Sequence, residues 1–154
     1  MAEQAQFSQG DNVYLRLYGP EGNIKDERST HNLVLTSGKN WLASFLAGTN
    51  TSNMVEMAIG TSTTAVTAGD TILGAEVSNP RVVGTTFASQ NLWQLTATFA
   101  ANNPSSTATV PITEGGIFNH NIINTGSMYV HATWAAINKA PADTLTVVWQ
   151  VTNS

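Results

Sequence analysis

Near the end of the chain, apolar and polar side chains alternate with a period of two. In Thr144-Leu145-Thr146-Val147-Val148-Trp149-Gln150-Val151-Thr152, the residues Leu145, Val147, Trp149 and Val151 share one face, and Thr144, Thr146, Gln150 and Thr152 share the other. Successive side chains of an extended strand point to opposite faces, so this pattern predicts a strand buried on one side. Only Val148 departs from it. The segment Leu92 to Phe99 repeats the arrangement, with Trp93, Leu95, Ala97 and Phe99 inward and Gln94, Thr96 and Thr98 outward. Further strands are predicted at Val13 to Tyr18, Met54 to Ile59, Thr107 to Ile112 and Met128 to Trp134, most of them flanked by Gly, Asn, Pro or Ser. Six or more strands in 154 residues predict a mainly β fold, an antiparallel β-sandwich or jelly-roll-like module.

One segment has a different period. Between Thr36 and Gly48, Trp41 with Phe45 and Leu42 with Leu46 form i,i+4 pairs, which predicts a short α-helix over about residues 38–47. Thr36 or Ser37 is expected to cap its start and Gly48 to stop it. Laid over one mouth or edge of the sandwich, the helix would shield a sheet edge from pairing with another chain. The small polar runs at residues 61–69 and 100–106 read as exposed loops.

A chain of this length forms one domain with one core, burying roughly 70% of the surface that its extended form exposes. Residues 1–10 are expected to form a flexible N-terminal arm, ordering only on a binding partner, and residues 11–154 the sandwich. No internal repeat or linker divides the chain. The N-terminal residues Met1-Ala2-Glu3-Gln4-Ala5-Gln6-Phe7 lack the basic and apolar regions of a secretory leader, which predicts synthesis in the cytoplasm without export. No window reaches the roughly 18 apolar residues of a membrane span, so no membrane partner is expected.

Composition sharpens the picture. Only 10% of the residues are charged, against about 25% on average; Thr, Asn, Ala and Ser stand in their place. A surface so poor in ions suits a protein packed against copies of itself or a larger assembly. The net charge of −4 and the scattered basic residues Arg16, Lys25, Arg28, Lys39, Arg81 and Lys139 argue against nucleic acid. With no cysteine, there is no disulfide, thiolate metal site or thiol nucleophile.

Candidate chemistry is sparse. His31, His120 and His131 are far apart in sequence and form no His-x-His pair, so no metal site is assigned. No Gly-x-Ser-x-Gly elbow is present. Gly38-Lys39 matches the end of a phosphate-binding loop, but Leu33 stands where its first glycine belongs and Asn40 where Ser or Thr would hold magnesium. Glu56, Glu76 and Glu114 lie in largely neutral sequence. Two of them could act as general acid and base on a glycan, but the favoured reading is that each pairs with a scarce base or takes backbone N–H bonds at a turn. Trp41, Trp93, Trp134 and Trp149 with Tyr14, Tyr18 and Tyr129 could stack on sugars, although Trp93 and Trp149 share strand faces with Leu, Val and Phe and read as core. No catalytic, cofactor-binding or metal residue is assigned, and no enzymatic activity is expected.

The stretch Gly38 to Gly48, Met57-Ala58-Ile59-Gly60-Thr61-Ser62-Thr63-Thr64, Leu73-Gly74-Ala75-Glu76-Val77 and Ile112-Thr113-Glu114-Gly115-Gly116-Ile117-Phe118-Asn119 together resemble small virion structural proteins of tailed bacteriophages. The resemblance spans roughly Gly38 to Val151. It implies a β-sandwich or jelly-roll module without catalytic residues, located in the virion. The expectation is a capsid decoration or cement protein, a homotrimer bound to the major capsid protein. The alternative is a tail-fibre or baseplate-associated carbohydrate-binding module; a fibre shaft is disfavoured because the chain has neither heptads nor repeats.

Overall fold

The computed structural model describes residues 12–78 and 80–152. The N-terminal arm expected over residues 1–10 lies outside them. In chain order the elements are β1 (Asn12–Tyr18), β2 (Ile24–His31), β3 (Leu33–Val34), α1 (Thr36–Leu46), β4 (Glu56–Gly60), β5 (Val82–Val83), β6 (Thr85–Ser89), β7 (Leu92–Phe99), β8 (Val110–Phe118), β9 (Met128–Lys139) and β10 (Thr144–Thr152). They form two five-stranded antiparallel sheets, β2-β1-β10-β7-β6 and β3-β9-β8-β4-β5. The result is a mainly β sandwich with one short helix. The two antiparallel sheets share one core and so establish the sandwich, but not a jelly roll in particular.

The first sheet is buried on one face only. Along β10 burial alternates strictly, with Leu145, Val147, Trp149 and Val151 inward, and Val148 takes its place on the outer face. Those residues meet Val13, Leu15 and Leu17 of β1, Leu95, Ala97 and Phe99 of β7, and Met57, Ile59, Ile112 and Ile117 of the second sheet in one core. Each of its large side chains contributes about 1.5–3 kcal/mol by leaving water. Trp149 and Phe99 are fully buried.

The second sheet is buried on both faces. Its inner face joins the core above, while Ala58, Phe118 and Met128 face outward into a smaller cluster with Leu35 and Leu73. Burial is therefore nearly continuous along β4 and β8, and alternation is lost. This moves several predicted boundaries. The strand expected at 107–112 begins at Val110 and runs on to Phe118, that expected at 54–59 is Glu56–Gly60, and that expected at 128–134 continues to Lys139. β2, β3, β5 and β6 are additional. β9 bulges: Ile112 pairs with Ile137 but Glu114 pairs with Thr133. The carbonyls of Ala135 and Ala136, within the bulge, accept hydrogen bonds from Arg28 Nε (3.2 Å) and Nη2 (3.0 Å) on β2.

The helix spans Thr36–Leu46 and its N-cap is Leu35, with no side-chain cap, which corrects the expected capping by Thr36 or Ser37. The Thr36 N–H instead donates to the Ala68 carbonyl (2.9 Å), and Ser37 Oγ donates to the Met128 carbonyl (2.7 Å). The Leu35 N–H donates to the Tyr129 carbonyl (3.0 Å), so the Leu35 backbone and the Ser37 side chain continue along β9 where the two-residue β3 stops. Gly38 lets the helix lie that close: a Cβ there would stand 2.3 Å from the Tyr129 carbonyl oxygen. Gly48, at φ +73°, ends the helix as expected.

Candidate functional site

The connection from β4 to β5, residues 61–81, is long for a segment without secondary structure. It is fastened to the second sheet by two buried polar clusters. In the first, Glu114 projects from β8 with its side chain 1% exposed. Its oxygens accept from the backbone N–H groups of Ser62 (3.2 Å), Gly74 (3.0 Å) and Ala75 (2.7 Å). His131 of β9 adds a contact from Nε2 to Glu114 Oε2 at 2.9 Å, while its Nδ1 lies 2.9 Å from Asp70 Oδ2 in the loop. Asp70 in turn accepts from the Thr67 N–H and hydroxyl.

Charge in this cluster is held by its partners. Burial opposes ionisation of Glu114, but the His131 ring and the three backbone N–H groups outweigh it and hold the carboxyl below its ordinary range. Asp70 is lowered in the same way, against burial, by Thr67 and His131. For His131, burial disfavours the imidazolium, but the two carboxylates prevail and raise its pKa. Both ring nitrogens are engaged with carboxylates, so the ring is not placed to activate a hydroxyl. Since the carboxylates lie on opposite sides of the ring, the three groups do not converge. Among the described residues no cluster is arranged to hold a metal ion.

The second cluster centres on Arg81, 3% exposed. Its Nε and Nη2 grip Glu76 at 2.7 and 2.9 Å, its Nη1 donates to the carbonyls of His120 (2.7 Å) and Thr125 (3.0 Å), and the guanidinium lies 3.5 Å over the Phe118 ring. Ser78 Oγ also donates to Glu76. Gly60 joins the two clusters, pairing with Glu114 and bridging to Glu76. The acids are thus held by a base or by backbone N–H groups, and neither faces an open cleft as an acid–base pair must. A third cluster buries Lys139, whose Nζ donates to the carbonyls of Ala100 and Asp143, beside the Asp143–Lys25 ion pair.

Glu56 stands apart from the other two acids. Its Oε2 is buried without a hydrogen bond, and burial pushes its pKa up despite the charges of Arg81 and His120. His120 lies in the loop after β8, with Nδ1 2.8 Å from Thr125 Oγ1, and His31 ends β2. Asp70 was not singled out by sequence reasoning, because nothing local marks an aspartate 61 residues from its histidine.

These clusters remove charge from the surface. Among the described residues, Arg16, Glu21, Lys25, Asp26, Glu27 and Arg28 all belong to the β1–β2 hairpin, where Arg16 pairs with Glu27 and Arg28 with Asp26; Lys39 is exposed on α1. The outer face of β10, β7 and β6 carries no charge. It presents Thr144, Thr146, Val148, Gln150 and Thr152, then Gln94, Thr96 and Thr98, then Thr85, Phe87 and Ser89. Thr98 and Thr146 hydroxyls meet at 3.3 Å, and Gln150 Nε2 donates to Gln94 Oε1 at 3.0 Å. The face is neutral and cross-linked by its own side chains.

At the β6 edge, α1 and β6 flank a groove of about 430 Å³ lined by Trp41, Phe45, Leu46, Phe87, Trp93 and Tyr129 among others. Trp41 stacks on Phe45 (centroids 5.0 Å apart), and Tyr129 bridges Trp41 to Trp93. The expected division of the tryptophans is thus refined: Trp149 and Trp134 are buried core, whereas Trp93 is only partly buried and Trp41 lies beside it. Tyr14 and Tyr18 lie over β1, away from this groove. No protein-family model, curated protein or solved structure matches the chain.

Proposed function

We propose that the protein is a structural virion protein of a tailed bacteriophage, a capsid decoration or cement protein that stabilises the head by binding the major capsid protein. The uncharged outer face of β10, β7 and β6 is the observation that carries this reading. Ionic side chains are costly to strip of water when a surface is covered. A face built of Thr, Gln and Val avoids that cost and offers hydroxyl and amide groups to a protein lattice. Its cross-strand hydrogen bonds fix the side chains beforehand, so little freedom is lost on docking.

In this reading the protein is made in the host cytoplasm, assembles as a homotrimer at the local three-fold positions of the shell, and has no enzymatic activity. Nucleic acid and membrane are not its partners in this reading: among the described residues Arg16, Lys25 and Arg28 are each matched by a carboxylate and Lys39 lies apart on α1, which makes no basic stripe for phosphate. Purified protein mixed with undecorated capsids should co-sediment saturably, at a stoichiometry matching three-fold or quasi-three-fold positions. Absence of binding overturns the reading. The aromatic groove beside α1 favours a second reading, a tail-fibre or baseplate-associated carbohydrate-binding module, which predicts binding to host glycans instead.

A further inference from the structure

The segment from residue 61 to 78 is fastened firmly at its ends and lightly in its middle. At one end the Thr113 hydroxyl donates to the Ser62 carbonyl (2.8 Å) and the Ser62 N–H donates to Glu114. At the other, Gly74 and Ala75 donate to Glu114, the Val77 N–H donates to the Ile59 carbonyl (3.0 Å), and Arg81 grips Glu76. Between them, residues 66–70 form a turn closed by Asp70 on the Thr67 N–H and hydroxyl, with Thr67, Ala68 and Gly69 exposed. Among the described residues, three contacts hold this turn down. Val66 packs on the cluster of Leu35, Ala58, Leu73, Phe118 and Met128, the Ala68 carbonyl accepts from the Thr36 N–H at the start of α1, and Asp70 meets His131.

The two carboxylates on His131 are not equivalent: the Glu114 side chain is 1% exposed and that of Asp70 24%. An ionised carboxylate shut away from water needs its donors, whereas one at the surface exchanges a lost donor for water. When the ring gives up one proton, the other is therefore kept on Nε2, facing Glu114, and the one that leaves is the Nδ1 proton, which passes to solvent on the Asp70 side. Nδ1 then presents a lone pair to a carboxylate oxygen 2.9 Å away, and two acceptors repel at that distance. Glu114 and Asp70 are the charged groups that act on the ring. Of the other elements packed on β9, β3 is apolar, α1 carries the exposed Lys39, and β2 ends in the exposed His31. Arg16 of β1 and Lys25 and Arg28 of β2 are each paired with a carboxylate.

We propose that residues 66–70 are a strap worked by a single proton, closed on the sheet while His131 is doubly protonated and lifted from it when Nδ1 is bare, with both ends of the segment still fastened. Closed, the strap helps to cover the outer apolar cluster. Lifted, it takes Val66 off that cluster and the acceptor away from Thr36. The raised pKa of His131 sets the direction: the strap is down in mild acid and lifts as the pH climbs through the raised value. The protein thus shows or hides apolar surface with pH, by the kind of switch that a partnered, buried histidine provides.

Amide exchange read by NMR, from below pH 6.5 up through the titration of the His131 ring, tests this together with the nitrogen shifts of that ring. With each rate divided by the intrinsic rate at the same pH, protection of the Thr36 amide should fall at least about tenfold, as for the loss of one charge-assisted hydrogen bond. Its midpoint should match the ring titration, Gly74 and Ala75 should lose a smaller factor, and the neutral ring should carry its proton on Nε2. A neutral ring protonated on Nδ1 overturns the proposal, as does unchanged protection at Thr36. Equal losses at Thr36 and Ala75 also overturn it, because the whole segment would then detach at once. Asp70→Ala, a change in the turn that leaves both sheets untouched, should give Thr36 the low protection at every pH. Protection that still follows the His131 titration in this variant would refute the strap.

Discussion

His131 Nε2 lies 2.9 Å from Glu114 Oε2, and since the opposite ring nitrogen faces Asp70, only the doubly protonated imidazolium donates to both carboxylates at once. This arrangement fixes the sign of the pH dependence. His131 is raised above its ordinary value of 6.5, so its contribution is complete below that value and is lost as the pH climbs through the raised one. Glu114 and Asp70 are lowered from 4.5 and 3.8, so theirs is complete above those values and is lost as the pH falls through the lowered ones. Attachment of the loop should therefore be firmest between 4.5 and 6.5 and loosen on either side. Hydrogen-exchange protection of the Gly74 and Ala75 amides, each rate divided by the intrinsic rate at the same pH, should be greatest in that window, and His131→Gln should abolish the alkaline limb.

Gly60 occupies a place that only glycine fits. A Cβ there would stand 2.4 Å from Glu114 Oε1 and 2.6 Å from the Ala75 carbonyl oxygen. Gly60→Ala should cost about 1–3 kcal/mol through this overlap. Gly69→Ala, where a Cβ meets nothing within 4 Å, should stay within about 0.5 kcal/mol of the parent. Urea denaturation of the two variants makes the comparison, and equal stabilities would refute it.

The Glu76–Arg81 pair is buried on both sides, at 3% and 0% side-chain exposure. Arg81→Met strands the Glu76 charge and unpairs the carbonyls of His120 and Thr125, and should cost about 3–5 kcal/mol. Adding Glu76→Gln to it removes the stranded charge, so the double variant should be more stable than the sum of the single losses predicts. Strict additivity in the double-mutant cycle would show that the two groups act independently.

If the neutral sheet face is what meets the capsid, a charge placed there is a clean probe. Thr98 is exposed on β7. Thr98→Glu should leave the thermal midpoint unchanged while weakening co-sedimentation with capsids at least about tenfold, the effect of desolvating one unpaired carboxylate in an interface. Undiminished co-sedimentation would move the contact to another surface.

The fold was legible wherever one side of a strand meets water. Val147, Trp149, Leu95 and Phe99 alternate with threonines and glutamines because β10 and β7 have an outer solvent face, and both strands lie where the pattern placed them. β8 was not legible past Ile112, since Glu114 and Phe118 are buried on the face that a loop covers, and Gly115-Gly116 reads locally as a turn. β2 escaped notice because its sequence, Ile24 to His31, is almost wholly polar, as an edge strand's can be. In the candidate site, the tie of Glu76 to Arg81 was foreshadowed by their nearness in sequence. The contact of His131 with Asp70 depends on where a long loop folds back, and no periodicity encodes that.

The two edges of the first sheet are unlike. β2 carries Lys25, Asp26, Glu27 and Arg28 in succession, and Arg28 reaches across to the bulge of β9; β6, at the other edge, has only Thr, Phe, Ala and Ser. A growing stack of sheets needs two receptive edges on every molecule, one to join and one to be joined. Among the described residues the first sheet has one. Through the first sheet, an extended segment that adds to β6 ends the series, because the β2 edge of the next molecule is closed to it by charge.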